Sequence, residues 1–265
     1  MKIIEEYDNN NKILNFAPKK HNTNIIFKGK NNVLICEENV NLTNCDIYFE
    51  GDDSIIYLSS NIHNYTLQVS IFNNSVLFIG ENCYMNGKSF FILSESKNIF
   101  IGNYCLFSLD IWFRLADPHL IYDINSKQRI NVSENIYVGD HVWIGQESMI
   151  LKGTKIGSGS IIGAKSLIAN KKIPSNSMWG GNPAKEIKRN IFFENSVAHP
   201  FREEDTKNSM MNHNTRWIYE KTSNTLGFKH LDSINNIEDS FHKIRFLVNL
   251  RENNDKNRFY YNPNE

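Results

Sequence analysis

The chain has little of what would place it in a membrane or on a nucleic acid. No apolar run in its 265 residues approaches the roughly 20 needed to span a bilayer. The opening MKIIEEYDNNNK has no apolar stretch, so no secretory leader is expected. Lysine plus arginine number 29 and aspartate plus glutamate also 29, for a net charge of zero. That balance offers no footprint for a polyanion or an anionic membrane. Cysteine is scarce: Cys36, Cys45, Cys83 and Cys105 form no CxxC pair and lack the density of a disulfide scaffold. Reduced core thiols in a cytoplasmic protein are the expectation.

What is present is a strict repeat. From 138 to 169 every sixth residue is a branched aliphatic: Val138, Ile144, Ile150, Ile156, Ile162 and Ile168. The following residue is small at Gly139, Gly145, Gly157, Gly163 and Ala169, with Leu151 the exception. Four residues after the aliphatic comes another compact residue: Val142, Ser148, Thr154, Ser160 and Ser166. A period of six fits neither a helix nor a simple strand. It predicts a parallel β-helix whose flat faces each take six residues, aliphatics inward and small residues at the corners.

Upstream, a looser repeat aligns Ile35, Leu58, Ile79, Ile101 and Val138, the first three steps being 23, 21 and 22 residues. A three-sided coil of six-residue faces needs roughly 18, so these coils carry corner insertions. Cys83 and Cys105 each fall four after their aliphatic, at the compact position. The longer gap before Val138 marks an excursion at 110–133. Residues 1–30 read as an irregular cap, because the end coils of a solenoid must close an open core. Abundant asparagine suits turns and ladders. After Pro174 turn formers dominate, and the period becomes helical at Ile237, Phe241, Ile244 and Val248, with Asn235 or Asn236 as cap. Residues 205–221 are a second helix candidate. The expected division is a cap at 1–30, a β-helix at 31–193 and a helical extension at 194–265, lying over the open last coil and frayed after Arg251.

Three blocks resemble the hexapeptide-repeat acyltransferases, in particular bacterial O-acetyltransferases of surface polysaccharide of the sialic-acid capsule type. They are Asp117-Pro118-His119-Leu120-Ile121-Tyr122-Asp123 with Arg129-Ile130-Asn131; Val138 to Gly145 including Trp143; and Ile161 to Ser166 leading to Gly181-Asn182-Pro183-Ala184-Lys185. The resemblance covers about 100–193. It implies a left-handed parallel β-helix, acetyl-CoA as donor, a saccharide acceptor, a homotrimer with the donor in the groove between prisms, and no metal.

An alcohol needs a base to attack a thioester at neutral pH, and histidine suits that task. His119 sits in the excursion, where a rigid scaffold displays reactive groups. The resemblance makes it the base, with Asp117 or Asp123 orienting its ring. Trp143, 24 residues later, matches the tryptophan beside the reacting centre. Gln146 and Ala164 match backbone contacts to the thioester and pantetheine arm. Lys171 or Lys172 matches a phosphate-contacting lysine, although one residue is inserted there and the family's threonine is an alanine. Lys185, and Lys188 beyond it, also reach toward phosphate. His141 invites a zinc reading, but no third histidine is near and zinc needs about three protein ligands; a coil-face role is expected. The resulting expectation is a cytoplasmic O-acetyltransferase. An N-acetyltransferase of an amino sugar nucleotide and a non-catalytic β-helix scaffold are the alternatives.

Overall fold

The six-residue repeat closes into a three-sided solenoid. The structure is a computed structural model that describes residues 1–264. Its strands stack into sheets of nine, seven and six strands, with a separate two-stranded sheet, Lys19–His21 on Asn41–Thr43. Val138, Ile144 and Ile150 lie on the first, second and third faces of one coil. Eighteen residues later Ile156, Ile162 and Ile168 stack beneath them in parallel register. All six are at most 1% exposed, and each such side chain withdrawn from water contributes about 1.5–3 kcal/mol. The compact residues have a polar task. The hydroxyls of Ser148, Thr154 and Ser160 donate to the carbonyls of Gly163, Ile168 and Pro174 in the next coil, at 3.0, 3.3 and 2.8 Å.

The corners explain the asparagine. Asn31, Asn74, Asn82, Asn170 and Asn176 all turn with positive φ, a conformation asparagine tolerates better than most residues. The side chains of Asn10, Asn31 and Asp53 continue as a ladder from coil to coil.

The structure moves several expected boundaries. Regular coils begin at Asn11, inside the stretch expected to be cap; only Ile3–Tyr7 folds back, antiparallel to Asn11–Asn15. In the second coil Cys36, not Ile35, stacks on Leu58, while Ile35 pairs with Tyr57 and points outward. The excursion leaves after Arg114 and rejoins at Ile136, because Ile111–Arg114 is a ladder strand between Ser89–Leu93 and Met149–Leu151.

The carboxy-terminal extension lies along the outside of the first face rather than over the open end. There Ile35, Tyr57, Phe78, Phe100 and Tyr137 form a second core with Phe228, Leu231, Leu247, Leu250 and Phe259. Its helices are short: α1 (Glu203–Asn208), α2 (Phe228–Asp232) and α3 (Ser240–Glu252). Most of 205–221 is therefore not helical. Asp239, not Asn235 or Asn236, caps α3 by accepting from the His242 amide at 2.9 Å. Phe241 is 70% exposed, and the buried side carries Lys243, Leu247 and Leu250. The segment expected to fray is packed, with Arg258 and Phe259 at 1% and 2% exposure.

Candidate active site

The excursion is a hairpin-like loop held to the edge between the third and first faces. Asp123 shapes its tip by accepting from the amides of Asn125 and Ser126 and from the Ser126 hydroxyl. Tyr122 and Arg129 form an antiparallel bridge behind the tip. Asn131, 6% exposed, is the internal post. Its amide nitrogen donates to Asp117 Oδ2 at 3.1 Å and to the His119 carbonyl at 2.7 Å. Its amide oxygen accepts from the Ile121 amide at 2.9 Å and from Arg129 Nε at 3.2 Å. Two ion pairs brace the loop from the coils on either side, Arg129 to Glu95 and Lys152 to Asp117, the latter at 2.8 Å.

His119 is exposed, and its imidazole meets no partner among the described residues. Neither candidate carboxylate bonds to that ring. The Lys152 ammonium holds Asp117 below the usual carboxylate range, and the Ser126 amide does the same for Asp123. Both acids order the loop. Asn131 stood in the first sequence block without a role assigned to it; Lys152 and Glu95, which brace the loop from outside, were not singled out from sequence, and their signal lies in the fold, since they occupy the corners of the adjacent coils.

Trp143 lies on the second face, 41% exposed, with Nε1 3.5 Å from the Ser108 hydroxyl. Gln146 and Ala164 occupy equivalent exposed corners of successive coils, between the second and third faces. Their backbone amides donate to no acceptor among the described residues. The solenoid brings Trp143, Gln146 and Ala164 together and sets His119 on another side, because the edge joining the third and first faces is opposite the second. Lys171 lies farther along the same edge as His119. Lys172 turns onto the first face, where its ammonium donates to the Gly153 carbonyl and the Asn170 side chain. Burial and the neighbouring Lys155 hold Lys172 below the usual lysine range. Lys185 is exposed on Ala184–Arg189, the strand that folds back on Ser177–Gly181.

His141 occupies a corner with φ 51° and is fully buried. Phe193 and Trp217 stack on its two faces at 4.0 and 3.7 Å, and Nε2 lies 3.1 Å from the Phe193 carbonyl. It pins the segment after the solenoid to the coil. The four cysteines are free and buried. Burial pushes the Cys36 and Cys105 thiols well up, which keeps them protonated and unreactive.

The hexad ladder, with one coil interrupted by an excursion, is that of a hexapeptide-repeat β-helix. Residues 135–170 match the family described as bacterial transferase hexapeptide (six repeats). Among its relatives is a polysialic acid O-acetyltransferase of Escherichia coli O1:K1 / APEC, 40% identical over 107 residues. That match takes in 40% of this chain and only 34% of the relative, about a third of its length. The crystal structure of the polySia specific acetyltransferase NeuO is 29% identical with a TM-score of 0.62, covering 75% of this chain and 90% of that one. The polysialic acid O-acetyltransferase OatWY shares the fold, at 24% identity and a TM-score of 0.63 over 74% of this chain and 93% of its own.

Proposed function

We propose that this protein is an O-acetyltransferase that moves acetyl from acetyl-CoA to a sugar hydroxyl of a bacterial surface polysaccharide, with His119 as general base. The observation that carries this reading is the His119 imidazole, exposed and unpartnered on a loop braced at both ends. The likeness to NeuO supports it. The imidazole takes the hydroxyl proton as the sugar oxygen attacks the thioester carbonyl carbon. Collapse of the tetrahedral adduct breaks the carbon–sulfur bond, and the imidazolium returns the proton to the departing thiolate. The enzyme is never acylated.

The chain has groups that fit the donor. The free amides of Gln146 and Ala164 suit the carbonyls of the acyl and pantetheine arm, and Trp143 forms a wall beside them. Lys171 and Lys185 have no ion-pair partner among the described residues and suit the phosphates. Lys172 is a poorer candidate because its ammonium is already committed. His119 and Trp143 lie on different sides of one prism, so a complete site takes His119 from one chain and Trp143 from its neighbour, as in a cyclic trimer. Protonated buried thiols fit a cytoplasmic setting.

The test is acetyl transfer to a bacterial polysaccharide, read by mass spectrometry and by lability of the product to mild base. His119→Ala is expected to lower the rate on the order of 10²- to 10⁴-fold with the fold intact. A base-stable amide product would move the assignment to an N-acetyltransferase. Absence of acetyl-CoA binding in calorimetry would leave a scaffold.

A further inference from the structure

Beside the root of the excursion, the outer surface of the third face is hollowed into a groove of about 490 Å³, within the range that holds small ligands. Arg114, Ser70, Ser94, Phe72, Ile92 and Asp117 contribute to its wall. Arg114 is the anomaly. It is the outward residue at the end of Ile111–Arg114 and stacks in register between Ile92 in the coil before and Leu151 in the coil after. A half-buried guanidinium thus interrupts an aliphatic column. It makes one hydrogen bond, from Nε to the Ala116 carbonyl at 3.0 Å. Its two terminal amino groups meet no acceptor among the described residues.

The groove also holds two carboxylates, and both are taken. Asp117 pairs with Lys152 at 2.8 Å, and Glu95 pairs with Arg129 and accepts from the Ser133 amide. With those charges matched, Arg114 leaves one positive charge facing the hollow. A planar guanidinium with free amino groups is suited to receive a carboxylate through two parallel hydrogen bonds. The remaining wall suits a sugar: the Ser70 and Ser94 hydroxyls offer polar contacts, and Phe72, 38% exposed, offers an apolar surface. Asp117 and Pro118, which border the groove, immediately precede His119.

We propose that Arg114 is a specificity-determining residue that binds a carboxylate of the acceptor sugar in this groove and so presents an acidic glycan to the His119 loop. This rests on the acetyl-transfer reading above, so the test reads binding separately from turnover. The probes are an oligomer of N-acetylneuraminic acid and its methyl ester, which lacks the negative charge but keeps the hydroxyls. Calorimetry on the wild-type protein is expected to show the acid binding on the order of 10- to 100-fold more tightly than the ester, the range for a lost charge-assisted pair. Arg114→Leu continues the column of Ile92 and Leu151 and is expected to fold. It should bind acid and ester alike, with the loss in acetyl transfer appearing in KM rather than kcat. Arg114→Lys keeps the charge but not the fork and should fall between.

Equal binding of acid and ester by the wild type, or unchanged discrimination in Arg114→Leu, overturns the proposal. Discrimination without any acetyl transfer leaves the Arg114 site standing and sinks the acetyltransferase reading instead.

Discussion

Arg258 grips both carboxylate oxygens of Asp140, 118 positions earlier in the chain. Nε lies 2.8 Å from Oδ2 and Nη2 lies 3.0 Å from Oδ1. The pair is almost fully buried, at 1% and 6% exposure. Nη1 donates to the carbonyls of Leu250 and Asn253, and Asp140 Oδ1 also accepts from the Asn103 amide at 2.6 Å. The end of the extension is thereby locked to two coils of the solenoid.

Breaking that lock from one side strands the other charge in the interior. Arg258→Ala or Asp140→Ala is expected to destabilise by about 3–5 kcal/mol. Arg258→Met combined with Asp140→Leu should recover part of that loss, since no buried charge is left unpaired. Urea midpoints of the three variants decide it. A double variant worse than both singles would show that the surrounding hydrogen bonds, rather than the charge, carry the contact.

His141 makes stability depend on pH. Burial lowers its pKa to about 4, and Nδ1 is buried with no hydrogen-bond partner among the described residues. In the unfolded chain the ring takes up its proton near 6.5. Between those values the unfolded state binds a proton that the folded state refuses, so stability falls as the solution is acidified. The contribution is full above about 6.5 and gone near 4, on the order of 3 kcal/mol for a shift of this size. Asparagine occupies the equivalent corner at Asn82 and Asn176. His141→Asn keeps the backbone turn and is expected to flatten the slope between those pH values. An unchanged slope would place the acid sensitivity elsewhere.

The strict hexad from Val138 was legible because the coil from Val138 to Ile156 is eighteen residues long, with no insertion, and every phase marker through Ile168 is an aliphatic. Upstream, corner insertions blur the phase, and the first face is buried on both sides. The runs at Val33–Cys36, Ile55–Leu58 and Val76–Ile79 are wholly apolar, so alternation cannot say which residue faces inward. A one-residue slip at Ile35 was the result. The same runs held the clue to the extension, since a strand buried on both faces needs a cover. The excursion that carries His119 was readable as a gap in the repeat, but Glu95 and Lys152, which brace it, come from coils before and after it, and only the fold brings them to one edge.

Asn131 tests whether that bracing matters. Its side chain joins Asp117, the His119 carbonyl, Ile121 and Arg129. Asn131→Ala removes all four contacts, at about 0.5–1.5 kcal/mol for each hydrogen bond lost. The loss is local, because the excursion lies outside the solenoid core. Hydrogen exchange is expected to quicken in 117–131 while the coils keep their protection. Acetyl transfer should fall with it. Faster exchange throughout the coils would show instead that the excursion supports the solenoid itself.

The placement of His119 and Trp143 on different sides of the prism leads to a complementation experiment. If each site takes His119 from one chain and Trp143 from the next, neither His119→Ala nor Trp143→Ala trimers contain an intact site. Mixed trimers do. With random assembly from equal amounts, about one quarter of the interfaces pair an intact histidine with an intact tryptophan. Unfolding and refolding the two inactive variants together should therefore restore roughly a quarter of wild-type transfer, while either alone stays inactive. The separately refolded proteins, mixed afterwards, are the control for exchange. No recovery in the co-refolded sample, with mixed trimers confirmed by mass, would mean that both residues serve one chain's own site or that Trp143 is not part of it.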